Sequence, residues 1–548
     1  VRFMTLNRTI LILLTTALGG SAFGVIHAQS SIQPPLIAER ARTPTEDWQD
    51  MSLSSDGLVG SHGLAAQPQD DDDLGSQLQQ LRETIQSLEE KIATLETAQS
   101  KPSASPAKPA DAKTDYYVDA RSVGTKRESE PPRYVRNLSK LEDPRFADIK
   151  WLDVGLDYRM RYEYRDDDFR RAVAVLDQPF LLRTRAYLGL REIVDPFRFG
   201  VEFEDAQREN GLFPLDNRDV NQYEFIQLFG ELYFKDFFGT DRPFRLQGGR
   251  LAMEYVDRRL VARNEWRNTT NNFQGFRAIL GQQKNDWQLD LFALRPMERL
   301  LSQPDRVDEN RWFLGAVGDW RRWSEIVTLQ PYYLILTQEA DAVRVRREIH
   351  TMAIRGYGNI GESGWDYDGD VALQYGRHGT ELHRAFGFTS ELGYTWCHPW
   401  KVRTCAFVGY GSGDRNPTDN KNHRFDRLFG FARPWSANDY FLWENLIAPK
   451  LRIDLEPIKD VRIDGGYGTF WLASATDSWA NANLRDPTGT SGSFIGQEFD
   501  VRVRLKPTRR IDMTLGYAHF IPGKFTRNTS RSEDSDFFYV ETSIRAFK

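Results

Sequence analysis

Residues 152–165 read LDVGLDYRMRYEYR, and apolar and charged side chains alternate along this whole stretch. Successive side chains on a β-strand point to opposite faces, so the stretch predicts a strand with one apolar, tyrosine-rich face and one charged face. In a soluble β-protein the apolar face would be buried and the charges would meet water. In a membrane barrel the apolar face would meet lipid and the charges would line the interior. The rest of the chain decides between these interpretations.

Alternating runs of the same kind recur throughout residues 151–548, for example at 181–191, 287–295 and 498–506. They amount to about 18 candidate strands, each long enough for an apolar layer that takes roughly 9–11 tilted residues. Short turns such as VDPFR and EPIKDV alternate with long polar stretches. We place these stretches at 166–179, 207–222, 256–271, 296–311, 338–346, 376–384, 412–438, 473–495 and 521–536.

The alternation of short and long connections, with aromatic residues at strand ends, is typical of an outer-membrane barrel with short periplasmic turns. No fixed-period repeat favours a soluble propeller or β-helix instead. We therefore predict an all-β fold: a transmembrane antiparallel β-barrel of about 18 strands over residues 151–548, in the bacterial outer membrane. An even strand number puts both termini at the short-turn end, which places the N-terminal segment in the periplasm.

The segments before the barrel differ from it in composition. Residues 1–28 combine two arginines, an apolar run and small residues, which predicts an export signal rather than a buried core helix. Residues 29–73 are polar and end in four aspartates, so we expect disorder there. Residues 99–150 form a Pro/Ala-rich linker and a polar lead-in to the barrel.

Residues 74–98 carry an a/d heptad seam, which predicts a coiled coil. The seam residues are Leu74, Leu78, Leu81, Ile85, Leu88, Ile92 and Leu95. So narrow a stripe favours self-association, and hence a homo-oligomer, over a single amphipathic helix lying on its own domain. Isoleucine at a with leucine at d favours two strands in peptides, although a large attached domain could impose three.

Composition excludes several classes of function. A net charge of −6 argues against a nucleic-acid partner. No nucleophile, metalloprotease or phosphate-loop motif is present, so we predict neither an enzyme nor a cofactor, and no metal site. The loop GSGDRNPTDNK at 411–421 offers Asp414, Asn416 and Asp419 as calcium ligands, but a turn cluster explains it as well. We place Cys397 and Cys405 opposite each other on a hairpin, which suggests a disulfide in an exported protein.

If the apolar strand faces meet lipid, the charged faces line a pore. Rings of arginine select anions because guanidinium groups pair with carboxylates and phosphates. Interleaved acids would brace these arginines, and each charge alone could simply solvate a wet wall. The candidate pore-lining and anion-binding residues are Arg159, Arg161, Arg165, Arg183, Arg185, Arg191, Arg250, Arg258, Arg259, Arg277, Arg502 and Arg504.

Three blocks in this order resemble the alginate-export family of outer-membrane barrels: GGRLAMEYVDRRLVARNEWRNTTNNFQGFRAILG (248–281), SGDRNPTDNKNHRFDRLF (412–429) and YGTFWLASATDSW (467–479). The resemblance spans most of residues 151–548 and excludes the coiled coil. It implies an 18-stranded barrel whose arginine-rich constriction passes polyuronate, a carboxylate polymer. Arg250, Arg258 and Arg259 lie in the first block and are therefore the expected constriction.

Three functions remain open from the sequence. The first is a passive channel for anionic, alginate-like polysaccharide or its oligomers. The second is a general porin for small anions, oligomerised by its coiled coil. The third is a barrel anchor in outer-membrane lipid whose periplasmic helix tethers a partner.

Overall fold

A computed structural model describes residues 128–237 and 239–547 and, upstream of them, only Gln86, which is helical and exposed. The predicted export signal, the polar segment, the linker up to residue 127 and, Gln86 apart, the coiled coil lie outside the described residues. Among the described residues, no helix is long and apolar enough to cross a membrane.

The described residues form twenty-three strands and a few short helical turns. The strands are β1 (Val135–Asn137), β2 (Leu152–Asp166), β3 (Phe180–Val194), β4 (Phe197–Glu209), β5 (Asn221–Phe234), β6 (Phe244–Leu251), β7 (Phe273–Leu280), β8 (Trp287–Glu298), β9 (Arg306–Val307), β10 (Arg311–Trp320), β11 (Thr328–Gln338), β12 (Arg347–Asn359), β13 (Trp365–His378), β14 (Glu381–Thr395), β15 (Arg403–Gly411), β16 (Lys421–Asn422), β17 (Leu446–Ile458), β18 (Val461–Trp471), β19 (Ser478–Trp479), β20 (Leu484–Arg485), β21 (Phe494–Leu505), β22 (Ile511–Pro522) and β23 (Ser535–Arg545). Helix α1 spans Lys524–Thr529, and 3-10 turns span Leu138–Lys140, Pro144–Phe146 and Ala480–Ala482.

Eighteen of these strands, all except β1, β9, β16, β19 and β20, form a closed antiparallel barrel. Each pairs with its neighbours along the chain, and the barrel closes where β2 pairs with β23, with Arg161 opposite Glu541. This confirms the all-β barrel and the strand number predicted from alternation.

The connections at the two ends of the barrel differ in length. Two residues join β3 to β4, whereas the 252–272, 412–445 and 472–493 connections on the other side are long. The long loop predicted at 376–384 is wrong, because β13 and β14 run through it and meet at a two-residue turn. Strand ends that rise above the apolar layer are polar, so polarity alone does not separate them from loops. The two ends are called the short-turn end and the long-loop end below.

Burial along β2 distinguishes the inner wall from the outer wall. Arg159 and Arg161 are 3% and 2% exposed, whereas Tyr158, the residue before Arg159, is 36% exposed. The charged side chains turn inward and the apolar ones outward, so the strand is inverted relative to a soluble sheet. The same alternation continues on β3, where Arg183 and Arg185 are buried.

Two long loops fold into the barrel and fill part of its interior. Residues of the 252–272 loop and of the later part of the 412–445 loop are mostly buried. Their aromatic side chains pack with inward strand residues in one apolar cluster, in which the Phe313 ring lies 4.8 Å from that of Phe429 and 5.9 Å from that of Phe273. A barrel of this size leaves a water-filled lumen unless loops occupy it. The loops therefore determine how much of the lumen stays open.

The N-terminal part of the described chain enters the barrel at the short-turn end. β1 pairs with β2, with Val135 opposite Gly155. The Tyr134 ring lies over Gly155, where an added Cβ would come within 2.7 Å of the ring. The Tyr134 hydroxyl donates a 2.7 Å hydrogen bond to the buried Glu202 carboxylate. A glycine at 155 therefore makes the space in which this segment sits.

The disulfide predicted between Cys397 and Cys405 is wrong, because both cysteines are free. Cys405 lies opposite Gly393 in the β14–β15 pair and is buried, whereas Cys397 is exposed in the turn. The Trp396 amide donates to the Val402 carbonyl, so the turn is centred before Lys401 rather than on it. That shift of the turn moves Cys405 along the strand, away from Cys397.

Candidate functional site: the arginine-rich lumen

The arginines of β2 hold the 252–272 loop inside the barrel. Arg159 donates to the carbonyl oxygens of Glu265 and Arg267, both at 2.8 Å. Arg161 donates to the Trp266 carbonyl at 2.6 Å, and its guanidinium lies 4.1 Å from the Trp266 ring centre. The alternation of side chains predicted these arginines on the inner wall. There both bind backbone carbonyls of the loop, and Arg161 also pairs with Glu163 and Glu541.

Glu265, at the centre of this loop, binds three guanidinium groups. Its carboxylate accepts from Arg185 at 2.8 Å, from Arg263 at 2.9 Å and from Arg183 at 3.5 Å. Arg185 also donates to Thr270 at 2.6 Å. A buried carboxylate is retained only when such partners replace its water, so this residue fixes the loop to β3.

A cation excess lies towards the long-loop end, in a small chamber that we call the arginine chamber. Six arginines and four acids line it: Arg161, Arg165, Arg170, Arg171, Arg218, Arg267, Glu163, Asp216, Asp219 and Asp439. Asp439 accepts from Arg267 at 3.1 Å and from Arg170 at 3.2 Å. The surrounding shell adds Asp168 on Arg170, Glu541 on Arg161 and Arg208 on Asp219, so an excess of one cation remains.

Neighbouring arginines lower the pKa of two carboxyl groups in and around the chamber, Asp216 and Asp168. Burial alone would raise the pKa of Asp216, but hydrogen bonds and charge from Arg218 outweigh it, and the pKa lies below the usual range. Burial opposes ionisation of Asp168 as well, and Arg170 brings the pKa of that carboxyl below normal. The chamber therefore contains both signs of charge, and its net positive field comes from the guanidinium group in excess.

The predicted arginines of the later strands form a second, fully paired cluster. Asp464 on β18 accepts from Arg502 and Arg504, each at 2.6 Å, and from Arg452 at 3.1 Å. Arg452 also donates to Asp500 at 2.8 Å. This cluster lies on the inner wall and braces β17, β18 and β21 against one another.

Near the short-turn end the lumen contains a cavity of 710 Å³ lined in part by residues 128–132. Arg277 donates to Glu130 at 2.7 Å and to Asp290 at 2.6 Å. On the same wall Arg191 donates to Asp153 at 2.6 Å. The N-terminal segment thus borders this cavity and is joined to the barrel wall by an ion pair.

The constriction predicted at Arg250, Arg258 and Arg259 is wrong as a group. Arg250 lies opposite Leu228, which is 54% exposed on the outer wall, and it pairs with Glu224. Arg258 and Arg259 lie in the inward loop, and the Arg259 guanidinium lies 4.9 Å from the Phe407 ring centre, against the apolar cluster. Arg250 is separated from Arg258 and Arg259 because strand β6 ends before residue 252 and the following loop turns into the barrel.

Sequence reasoning missed the loop residues that form most of the chamber. Arg170, Arg171, Arg218, Arg267 and Asp439 come from connections outside the strands, so alternation gave no signal for them. Their arginine-rich composition was a signal, but nothing in it showed that these loops turn inward.

In the part of the chain that the structure describes, no group of three or more His, Cys, Asp or Glu residues is arranged to hold a metal ion. In the loop weighed as a calcium site, the Asn416 side chain accepts from the Thr418 amide at 3.2 Å and Asp419 accepts from the Lys421 amide at 3.0 Å. These are the hydrogen bonds of Asx turns.

A closed barrel of eighteen strands with a charged interior and an apolar outer wall defines an outer-membrane channel. The family model described as alginate export matches residues 150–540. The chain belongs to the alginate export family, and its place is the bacterial outer membrane.

Solved structures with a similar barrel come from Pseudomonas aeruginosa. OccK11 (OpdR) is 14% identical with a TM-score of 0.48, over 72% of this chain and 96% of that one. OccK2 (OpdF) is 11% identical with a TM-score of 0.49, over 72% and 97%. OpdK, solved with vanillate, is 14% identical with a TM-score of 0.46, over 72% and 98%. No curated protein matches the chain in sequence.

Proposed function

We propose that the barrel passes anionic substrates by passive diffusion, and that its cargo is alginate-like polyuronate or its oligomers. The observation that carries this proposal is the arginine chamber, where six guanidinium groups share four carboxylates. A carboxylate polymer offers one anion per sugar, and guanidinium groups bind carboxylates in a bidentate manner. The family to which the chain belongs supports the same cargo.

The internal acids set how tightly such a cargo would be held. Each carboxylate of the chamber already has an arginine partner, for example Asp439 between Arg170 and Arg267. An entering uronate would therefore exchange with an internal carboxylate rather than bind a bare cation. Conduction requires binding that is favourable enough for entry and weak enough for release, and exchange of this kind provides both.

A general porin for small anions is the second candidate, and one dimension of the chamber favours it. The cavity among the chamber side chains has a volume of only 30 Å³. A sugar unit would have to displace side chains or the loop, whereas a small anion would need less rearrangement.

Planar-bilayer recording of the purified protein tests both candidates. We expect anion selectivity, with current blocked by oligouronate if the polymer is the cargo and unaffected by it if small anions are. Arg171→Gln with Arg218→Gln removes two chamber charges and should lower anion selectivity, whereas Arg509→Gln, an exposed residue at the short-turn end, should not. Unchanged selectivity in the double variant would refute the chamber as the selective element.

We also propose that the short turns face the periplasm and that residues 74–98 join copies of the chain. The asymmetry of the connections supports the orientation, and the heptad seam supports the oligomer. Mass measurement of the detergent-solubilised full chain should give a multimer, and Ile85→Glu in the seam should reduce it to a monomer. A multimer that persists in this variant would place the interface elsewhere.

A further inference from the structure

Among the described residues, the guanidinium groups of two arginines on the outer wall form no ion pair, in contrast to those of the lumen. Arg377 on β13 and Arg384 on β14 are exposed and alternate with buried inward residues such as Gln374 and His383. Within the described residues, no carboxylate lies within 4.0 Å of either guanidinium. They are close neighbours, because Arg384 lies opposite Tyr375, two positions from Arg377 on the same face.

Their height on the barrel corresponds to the edge of the apolar layer. On β13 the outward side chains run from Trp365 at the short-turn end to Tyr375, ten residues later. At about 3.3 Å per residue and a tilt of about 40°, this is roughly 25 Å, the height of the apolar band on such barrels. Arg377 is the next outward residue, and Phe386 lies just below Arg384 on the apolar side.

The charges around the pair leave a net positive surface. Glu348 lies opposite Arg377 on β12, but its carboxylate is 3.3 Å from His350 Nε2. On the other side, exposed Lys421 pairs in register with Leu382, and the Asp419 side chain accepts the Lys421 amide. Three cations therefore face two acids, and both acids already accept hydrogen bonds.

Farther around the barrel the outward groups near the long-loop end are different. Asp536 accepts from the Tyr517 hydroxyl at 2.5 Å and lies 2.9 Å from His519 Nδ1. That wall presents a carboxylate with its own partners, so its charge differs from that of the wall at β13 and β14.

We propose that Arg377 and Arg384, flanked by Lys421, bind the phosphate groups of lipid headgroups in the leaflet at the long-loop end. Guanidinium groups pair with phosphate oxygens in a bidentate manner, and a headgroup at this depth supplies these oxygens. The lipid's chains would lie on the apolar wall below, beside Leu373 and Phe386. With the proposed orientation, that leaflet carries lipid A, whose two phosphates match a pair of neighbouring arginines.

Lipid binding to the detergent-solubilised full chain tests this site, with bisphosphorylated lipid A as the probe and retention read by native mass spectrometry. Each cation near a charged headgroup is worth about fivefold in affinity, so Arg377→Gln with Arg384→Gln should weaken binding roughly 25-fold. Arg377→Lys with Arg384→Lys keeps the charges and should bind within a few fold of the wild type. Arg509→Gln, an equally exposed arginine at the other end, is the matched control.

Several results would overturn the site. They are equal retention by the double glutamine variant, equal binding of lipid A stripped of its phosphates, and loss of binding in the lysine variant despite a folded barrel. Binding of inorganic phosphate at the same affinity would exclude the lipid as the specific occupant. Heat-modifiable migration on gels reports folding of each variant. Channel conductance should be unchanged in all of them, so the proposed transport function stands or falls separately.

Discussion

Neutralising Glu265 should release the 252–272 loop from the barrel wall. In Glu265→Gln the side chain keeps its shape and loses the charge that Arg183, Arg185 and Arg263 share. Removing one partner from a buried ion pair costs up to about 3–5 kcal/mol. Arg185 keeps Glu204 and Arg263 keeps Glu202, so the buried charge left without a carboxylate is mainly that of Arg183. A tenfold change in an equilibrium constant corresponds to about 1.4 kcal/mol, so the ratio of docked to displaced loop should fall by a factor of up to roughly 10²–10³.

Two measurements follow the loop in this variant. Trypsin should cut the variant within 252–272, at arginines such as Arg258 that are buried when the loop is docked. Single-channel conductance should rise, because the loop occupies the lumen. Glu362→Gln, which changes an exposed acid in a short turn, is the control and should leave both unchanged. A variant with wild-type conductance and trypsin resistance would show that the backbone contacts of Arg159 and Arg161 hold the loop without Glu265.

Three further perturbations address the wall, a loop and the orientation. Leu156→Arg places a charge on the outer wall, at about 2–4 kcal/mol near the bilayer centre, and should reduce heat-modifiable folded barrel on gels, whereas inward Asp157→Glu should not. Burial raises the pKa of Asp305 to about 6, so its loop is most stable below the usual carboxyl pKa and loses stability as the pH rises towards 6. Asp305→Asn should remove this pH dependence from protease resistance of the 299–310 loop, and a retained dependence would exclude Asp305 as its source. Exposed Cys397 should react with an impermeant maleimide only after the outer membrane is opened, and buried Cys405 should stay unreactive; labelling of intact cells would reverse the proposed orientation.

The walls of the barrel could be predicted from the sequence because the alternation of apolar and polar side chains is visible within each strand. Alternation in β2 specifies both faces, and the outward exposure of Tyr158 against the burial of Arg159 follows from the pleat alone. The number of strands followed from counting the alternating runs. The exception at 376–384 arose where a strand continued beyond the apolar layer and lost its apolar face.

The contents of the lumen could not be predicted in the same way, because they depend on where loops go. Glu265 gives no sign in the sequence that it binds arginines from β3 and from its own loop. Arg250 and Arg258 lie in the same sequence block but on different sides of the barrel wall. The face of a strand residue follows from the alternation of side chains along the strand, whereas the position of a loop residue does not. The turn before Cys405 shifted for a related reason, because hairpin register depends on turn geometry.

The arginine count of the inner wall overstates its affinity for anions. On β2 and β3 the guanidinium groups are occupied by loop carbonyls and by Glu265, and on β17 and β21 they share Asp464 of β18. Only where arginines outnumber acids, as in the arginine chamber, does a net field remain for a cargo. The paired arginines nevertheless matter for transport, because they fix the loops that set the free space. Selectivity should therefore respond to charge changes in the chamber, and conductance to charge changes at the loop anchors, so the two properties can be altered independently.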